Sequence, residues 1–491
     1  MAPPNAPNIL ILMAEDTGRH QGCYGDRDGS TPHLDRLATE GVRFANALST
    51  APVCAPARSS VVTGRYPWSL GTLAMRSTLL HPPRLLTHRL RDRGYYVNWF
   101  TKTDFNFDPP NPPAPDPFCD EARPWLEDLA QGRLAGRPWL LYQNFFVTHE
   151  STMWDGPLGQ QAGARAERIA HDHLLVPHQH HRPETVQVPP YLPDTPAVRQ
   201  CLARYYDALS IQDAQIGQVL DALERSGQAE NTLVIYLSDH GRGLPREKRW
   251  CYNAGIHQPL IIRWPGHLEP GTVSDEIVSW VDIAPTLLKV AGADDALIAS
   301  WFQGRAFLGE KLSPPRQFAF AARDRMDETY DSVRVARDSR FHYIRNRYPR
   351  LPYAQRNTYM EHMPATQDLR QMHAQGTLHG PAALWMADSK PPEELYDWRH
   401  DPHMIHNLAG EPAFTGDLQR LRAALDEHLA ALGDLHLQPE RELIAQGLVK
   451  DRLAEFRAHI QPLPQPHRIG PPLTVLEMAE AEAYEHSAPA P

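Results

Sequence analysis

Cysteine is scarce in this 491-residue chain, and the five that occur are widely spaced and odd in number. No C-x-x-C pair is present, so the usual signature of a structural zinc site or a redox dithiol is missing. A disulfide framework is not expected from this spacing either. Each cysteine therefore has to be judged from its own neighbours. They are Cys23, Cys54, Cys119, Cys201 and Cys251.

Long hydrophobic runs and a surplus of positive charge are also missing. No stretch approaches the length of a membrane span, and the formal net charge is −10. An acidic chain of this kind is not expected to hold nucleic-acid phosphates or anionic lipid, so we expect no nucleic-acid partner and no membrane partner. An anionic substrate would need a local cluster of cations. The oligomeric state is open.

The N-terminus has neither the basic start nor the long apolar core of a signal peptide. Its first apolar run, residues 8–13, is shorter than such a core. A cytoplasmic location is therefore expected, or a periplasmic one if a leader was removed before this sequence was defined.

Short apolar runs alternate with helical patterns through the first two thirds of the chain. This alternation predicts an α/β fold, with a large, mostly parallel sheet sandwiched by helices. The longest helix is expected at 197–226, where apolar residues recur every three or four positions. Strands are predicted at 9–13, 95–100, 139–146, 232–237 and 259–264.

The pattern changes after about residue 310. Residues 332–336 and 341–345 indicate a hairpin, and 417–432 an amphipathic helix. We therefore expect three parts, with a tail whose Pro, Ala and Glu content is typical of surface-bound or disordered segments. These are an α/β catalytic domain at 1–310, a smaller α+β domain at 311–450, and a C-terminal tail at 451–491.

Polar residues follow two apolar strands directly. Glu15 and Asp16 come after the first strand, at the edge where an open α/β sheet binds its ligands, and a divalent cation would relieve their mutual repulsion. Asp239 and His240 follow another strand, so Asp16 and Asp239 face each other if those strands are neighbours, and His240 adds an imidazole ligand. Such a set predicts a mainly oxygen metal site, with solvated turns as the alternative.

The most specific motif is V-C-A-P-A-R at residues 53–58, followed by T-G-R at 63–65. Pro56 can open a helix, which would place Cys54 at a positive helix terminus with Arg58 one turn on. A buried thiol beside a helix cap is the alternative, but it explains neither Pro56 nor Arg58. The motif resembles the C-x-P-x-R signature of the formylglycine-dependent sulfatases. In that family a formylglycine-generating enzyme oxidises the cysteine, and the hydrated aldehyde is the nucleophile.

The resemblance covers about residues 7 to 435 and implies an alkaline-phosphatase-like fold. T-P-H-L-D-R-L at 31–37 is similar to a helix of the family, and E-L-Y-D at 394–397 to its C-terminal signature. Among sulfatases, the runs at 175–177 and 188–196 are most similar to the heparan N-sulfatase (sulfamidase) branch.

The resemblance also implies roles for cations that follow strand ends. Lys102, Lys248 and His149 correspond to residues that bind the sulfate oxygens and protonate the leaving group, and Arg58 would hold the hydrate of residue 54. Asp104 stands where the family usually has a histidine, so it is expected to act as a base or as a substrate contact. The implied catalytic set is Cys54, Arg58, Lys102, His149 and Lys248.

One divalent metal is implied, held by Glu15, Asp16, Cys54 after its modification, Asp239 and His240. Glu15 replaces the usual aspartate, and Ca²⁺ tolerates a longer arm best. His240 replaces the asparagine usual in sulfamidases, and a nitrogen ligand admits Mn²⁺ as an alternative. Mg²⁺ is a further alternative.

The function predicted from the sequence is hydrolysis of an organic sulfate ester or sulfamate, with a saccharide sulfate favoured as substrate. A phosphonate monoester or phosphodiester hydrolase using the same site is one alternative. A non-catalytic glycan-binding relative is the other.

Overall fold

A computed structural model of the chain describes residues 6–99, 101–107, 120–121, 124–134, 136–154, 180–310, 312 and 314–455. Most of the predicted tail and the run at 175–177 lie outside these ranges. The strands described are β1 Asn8–Ala14, β2 Val42–Leu48, β3 Ser77–Leu79, β4 Tyr96–Asn98, β5 Trp139–Phe145, β6 Thr232–Ser238, β7 His257–Arg263, β8 Thr272–Ser279, β9 Ala319–Arg323, β10 Val333–Arg337, β11 Phe341–Asn346, β12 Glu393–Asp397 and β13 Val449–Asp451.

The helices of the described residues alternate with these strands. They are α1 Pro32–Glu40, α2 Cys54–Thr63, α3 Pro67–Leu70, α4 Leu86–Asp92, α5 Leu126–Ala130, α6 Pro196–Arg225, α7 Asn253–Ile256, α8 Ile283–Val290, α9 Asp295–Trp301, α10 Thr358–Glu361, α11 Pro364–Ala374, α12 Pro381–Trp385, α13 Thr415–Leu432 and α14 Glu440–Ala445. No helix among the described residues is both long enough and apolar enough to cross a bilayer.

A seven-stranded sheet forms the centre of the fold, in the order β4-β5-β1-β6-β7-β2-β8. Only β7 runs opposite to the others, pairing antiparallel with β6 and β2. The predicted mostly parallel sheet is thereby confirmed. Strands β2 and β8 were not predicted, because polar residues interrupt the first and the second begins with exposed positions.

Helices cover both faces of this sheet. Successive side chains of β1 point to opposite faces, as the strand period requires. Ile9 and Ile11 belong to the core that packs against α2, α4 and α8, whereas Leu10 and Leu12 belong to the core formed with α1, α5 and α6. Because β1 is buried on both faces, its sequence is apolar from Ile9 to Ala14.

A second, antiparallel sheet follows in the order β12-β11-β10-β9. The predicted hairpin is confirmed as β10 and β11, with Val333 opposite Asn346. Helix α13 packs on this sheet through Leu421 and Leu425. The proposed domain boundary at residue 310 falls between α9 and β9 and stays a prediction.

Replacing Leu421 with alanine should lower the free energy of unfolding by about 2–5 kcal/mol, because the residue is fully buried between α13 and the second sheet. Chemical denaturation of the variant beside the wild type measures this change. Leu384→Ala is the matched control: Leu384 is 55% exposed, so a change within about 0.5 kcal/mol is expected. Equal losses in the two variants would contradict this packing.

Candidate active site

The site lies where β1 and β6 end side by side. The two strands pair in parallel, with Ala14 opposite Ser238, so the residues that follow each strand meet. The backbone N–H of Asp16 donates to Asp239 Oδ1 at 3.0 Å, and both side chains are completely buried. Asp16 adopts a left-handed backbone conformation, with a φ of 49°. The conditional prediction that Asp16 and Asp239 face each other is confirmed.

Cys54 is the first residue of α2, at the positive end of that helix. Its Sγ lies 3.2 Å from His240 Nε2 and 3.9 Å from Asp16 Oδ1. The chain turns away sharply at Gly241, where a Cβ atom would come within 1.7 Å of the carbonyl oxygen of Ala254. Only glycine fits this close approach.

Four side chains converge as potential metal ligands. Ligand atoms of Asp16, Cys54, Asp239 and His240 all lie within 4.8 Å of one another. His240 Nδ1 lies 2.9 Å from the carbonyl oxygen of Gly241, which can only accept, so in the neutral ring the lone pair of Nε2 faces the other three. Carboxylate oxygens with one imidazole nitrogen form a donor set that fits a divalent cation.

The electrostatics of this cluster also favour a bound cation. Burial alone would lower the pKa of His240, but Asp239, Cys54 and Asp16 raise it well above its ordinary value. Burial would likewise raise the pKa of Asp16, yet Lys248 and His240 lower it well below the usual range. The buried carboxylates thus stabilise positively charged groups next to them.

Glu15, the remaining predicted ligand, makes contacts that the other predicted ligands do not make. Its carboxylate contacts the Lys102 ammonium and accepts a hydrogen bond from Asn144 Nδ2 at 3.2 Å. Glu15 Oε1 is 3.9 Å from Cys54 Sγ, and the residue is not among those four, but its ligand atoms form a second group with Asp16 and His149 within 4.8 Å of one another. Its role as a metal ligand stays a prediction, while its ion pair with Lys102 is a second role that the sequence did not indicate.

Arg58 is buried beneath the cluster, one turn into α2. Its Nε donates to Asp239 Oδ2 at 3.0 Å, and its other nitrogens donate at 2.7 Å to the Tyr142 hydroxyl and to Asn144 Oδ1. Burial would lower the pKa of Arg58, but Tyr142 and Asp239 raise it well above its usual value. Arg58 therefore stays charged and fixes the orientation of Asp239. Its predicted contact with the hydrate of residue 54 stays a prediction.

Lys248 and His149 approach the cluster from two further loops. Lys248 Nζ lies 2.7 Å from Asp16 Oδ2 and 2.8 Å from Glu150 Oε1. The backbone N–H of Ser151 donates to His149 Nδ1 at 3.3 Å, so His149 carries its proton on Nε2. Burial, reinforced by Lys248, lowers the pKa of His149. His149 is thus a neutral donor at neutral pH.

These groups open onto a cavity of about 290 Å³. The structure therefore brings the predicted nucleophile, three of the predicted cationic or imidazole side chains and Asp104 to one cavity. Its lining includes Cys54, Lys102, Asp104, His149 and Lys248. Sequence reasoning missed several other lining residues. Glu150 directly follows His149, and Arg249 directly follows Lys248, so their positions next to predicted site residues could have indicated them. The other missed residues stand next to no motif. The missed residues include Arg76, Glu150, Arg249, Asp327 and Tyr359.

Two family models match the chain. The model described as Sulfatase matches residues 7–293, and the model described as N-sulphoglucosamine sulphohydrolase, C-terminal, matches residues 244–373. The two matches together span the large sheet and three of the four strands of the second one.

Individual proteins are also similar to this chain. An ulvan-active sulfatase of Formosa agariphila is 37% identical over 90% of this chain and 78% of its own length. Human N-sulphoglucosamine sulphohydrolase is 28% identical over 85% of this chain and 89% of its own. A solved 2-O GAG sulfatase aligns with a TM-score of 0.60 at 21% identity, covering 87% of this chain and 93% of that one, and so shares the fold.

Proposed function

Because the chain belongs to the sulfatase family, we propose that it removes sulfate from a saccharide sulfate ester or sulfamate with residue 54 as the nucleophile. The chain is a sulfuric ester hydrolase by this membership. The observation that carries the site assignment is the convergence of Cys54 with Asp16, Asp239 and His240 within 4.8 Å beside a cavity lined by cations. A saccharide substrate is supported by the names of two relatives, one ulvan-active and one an N-sulphoglucosamine sulphohydrolase.

Two groups would be added to the chain. Oxidation of Cys54 to formylglycine by a formylglycine-generating enzyme would supply a geminal diol as the attacking group. A divalent metal, with Ca²⁺ preferred over Mn²⁺ and Mg²⁺, would supply Lewis acidity that makes the attacking hydroxyl a better nucleophile. Asp16, Asp239, His240 and residue 54 would hold it, with Glu15 as a fifth candidate.

The side chains around the cavity suit the charge changes of sulfate transfer. Lys102 and Lys248 can offset the negative charge on the sulfuryl oxygens, because both ammonium groups stand beside the nucleophile's carboxylate neighbours. The Lys248 ammonium can protonate the departing oxygen or nitrogen, and the neutral His149 can donate a hydrogen bond to it from its Nε2–H. Arg58 keeps Asp239 in place throughout.

Sulfate release from a substrate panel tests this function. Protein co-expressed with a formylglycine-generating enzyme is assayed with 4-nitrophenyl sulfate, sulfated sugars, and an aryl phosphonate monoester. We expect kcat/KM for the best sulfate to exceed that for the phosphonate by at least about tenfold. A preference for the phosphonate would favour the phosphonate hydrolase alternative, and tight sugar binding without turnover would favour the non-catalytic one. The Cys54→Ala protein, purified identically, corrects for contaminating sulfatases.

A further inference from the structure

Two chains of ion pairs lead away from the cluster around Cys54 and end on Asp104 and Arg76, which line the same cavity and whose charges act on each other. The short chain runs from Glu15 through Lys102 to Asp104, whose Oδ2 is 3.4 Å from Lys102 Nζ. Lys102 and Asp104 keep 23% and 28% of their side chains exposed. The short chain therefore ends on a carboxylate that a ligand in the cavity can reach.

The long chain starts at Lys248, which contacts Asp16, and continues through buried residues. Glu150 accepts from Lys248 at 2.8 Å and from two Arg249 nitrogens at 2.9 Å each. Asp327 follows, 3.5 Å from Arg249 Nη2 and 2.8 Å from the Nε of Arg76. Arg76 is 28% exposed, whereas Asp327 is 1% exposed. This chain ends on a guanidinium that also lines the cavity.

The backbone at these positions is unusual. Eight non-glycine residues of the described chain have positive φ, and five of them belong to the metal cluster or to these ion-pair chains. Such conformations cost free energy and persist where the surroundings hold them, most often at functional sites. Arg76 and Asp104, with φ of 71° and 50°, are therefore held in place on the wall. The five are Asp16, Arg76, Asp104, Arg249 and Asp327.

The charge and size of the cavity limit what fits. Its lining has four cationic side chains, Arg76, Lys102, Lys248 and Arg249, and three carboxylates, so the surplus is one positive charge. One sulfate monoester carries one negative charge, which leaves no surplus for a second anion. A volume of about 290 Å³ is at the small end of the roughly 300–1,000 Å³ usual for ligand pockets. One sugar ring with its sulfate fits this space better than an oligosaccharide.

Asp104 is suited to accept hydrogen bonds rather than to exchange protons. Burial would raise its pKa, but Lys102 and Arg76 lower it. The carboxylate therefore stays ionised, and a hydroxyl is the natural donor to it. Beside it, the Arg76 guanidinium can donate to a neighbouring hydroxyl oxygen.

We propose that Arg76 and Asp104 form a sugar subsite, which binds adjacent hydroxyls of one neutral monosaccharide ring that carries a single sulfate. This inference rests on the proposed sulfatase function and assigns the specificity of the same site. A ring with a second sulfate or a carboxylate next to these hydroxyls is disfavoured, because one sulfate already balances the surplus charge of the lining and Arg76 is already paired with Asp327. The subsite selects neutral, monosulfated sugars.

The test compares sugar sulfates with a sulfate that has no sugar. Wild type, Arg76→Met and Asp104→Asn are assayed with the isomeric monosulfates of glucose, galactose and N-acetylglucosamine, with glucosamine 2-N,6-O-disulfate, and with 4-nitrophenyl sulfate. Wild type should prefer the best neutral monosulfate to the disulfate by at least about tenfold in kcat/KM. Each variant should lower the ratio of kcat/KM for that monosulfate to kcat/KM for 4-nitrophenyl sulfate by about 10- to 100-fold, mainly through KM.

Arg84→Met serves as the matched control. Arg84 is a surface arginine, 59% exposed and paired with Asp92, so its replacement should leave the ratio unchanged. Unchanged ratios in both subsite variants, with wild-type thermal stability and metal content, would overturn the subsite while leaving the sulfatase function intact. Better turnover of the disulfate than of every monosulfate by wild type would also overturn it. Failure of the formylglycine-containing wild type to release sulfate from any substrate would overturn both proposals.

Discussion

Replacing Cys54 with alanine should lower kcat for sulfate release by at least about 10,000-fold, because the nucleophile is lost while the cavity stays intact. The thiol is only 4% exposed and heads α2, so a methyl group fits in its place without disturbing the helix. Steady-state sulfate release by the purified variant measures the effect. Cys23→Ser is the control, since Cys23 does not line the cavity, and it should retain wild-type kcat.

Cys54→Ser tests the same step in a different way. A serine hydroxyl can attack sulfur and release the alcohol, but the resulting sulfate ester cannot collapse to an aldehyde as a geminal diol does. We expect a stable adduct of one sulfuryl group on residue 54, seen by mass spectrometry after incubation with substrate. Multiple turnover by this variant at the wild-type rate would contradict the mechanism.

Asp239→Asn should lower kcat by about 1,000-fold or more and reduce the bound metal, because one charged ligand is removed and Arg58 loses the charge of its nearest carboxylate. Metal analysis of the purified protein, together with kcat measured in added Ca²⁺, Mn²⁺ and Mg²⁺, separates metal loss from a defect that excess metal cannot restore. Retention of full activity with no metal would contradict the assignment of Asp239.

Asp213→Asn is a matched control for this variant. Asp213 is also buried, but it accepts backbone hydrogen bonds from His33 and Leu34, far from the cavity. Burial raises the pKa of Asp213 to about 7, so loss of its charge should cost little, whereas loss of one of its two acceptor oxygens should lower the free energy of unfolding by about 1–3 kcal/mol without affecting the site. Metal content and kcat should both match the wild type.

The ends of the strands could be predicted because their signals are local. A fully buried parallel strand reads as a continuous apolar run, so the polar residues after β1 and β6 stand out in the sequence. Their neighbour relation was a condition that the sequence left open, and the pairing of Asn8 with Thr232 fulfils it. The helix that begins at Cys54 was indicated by Pro56 for a similar reason.

Other parts of the site depend on contacts between distant segments. Asp327 and Tyr359 reach the cavity from the region of the second sheet, and no spacing in the sequence relates them to Cys54. Arg76 pairs with Asp327 across 251 positions, and only the folded chain reveals this contact. The same holds for Glu15: its place in the sequence indicates a metal ligand, but the length of its side chain lets it contact Lys102.

The measurement that tests the central claim most directly is peptide mass spectrometry across residue 54. Trypsin should release residues 44–58, because Arg43 and Arg58 flank the segment. In protein from its native host, or co-expressed with a formylglycine-generating enzyme, we expect this peptide to be about 18 Da lighter than the cysteine form, as conversion of a thiol to an aldehyde requires. An unmodified thiol in protein that still releases sulfate would contradict the account.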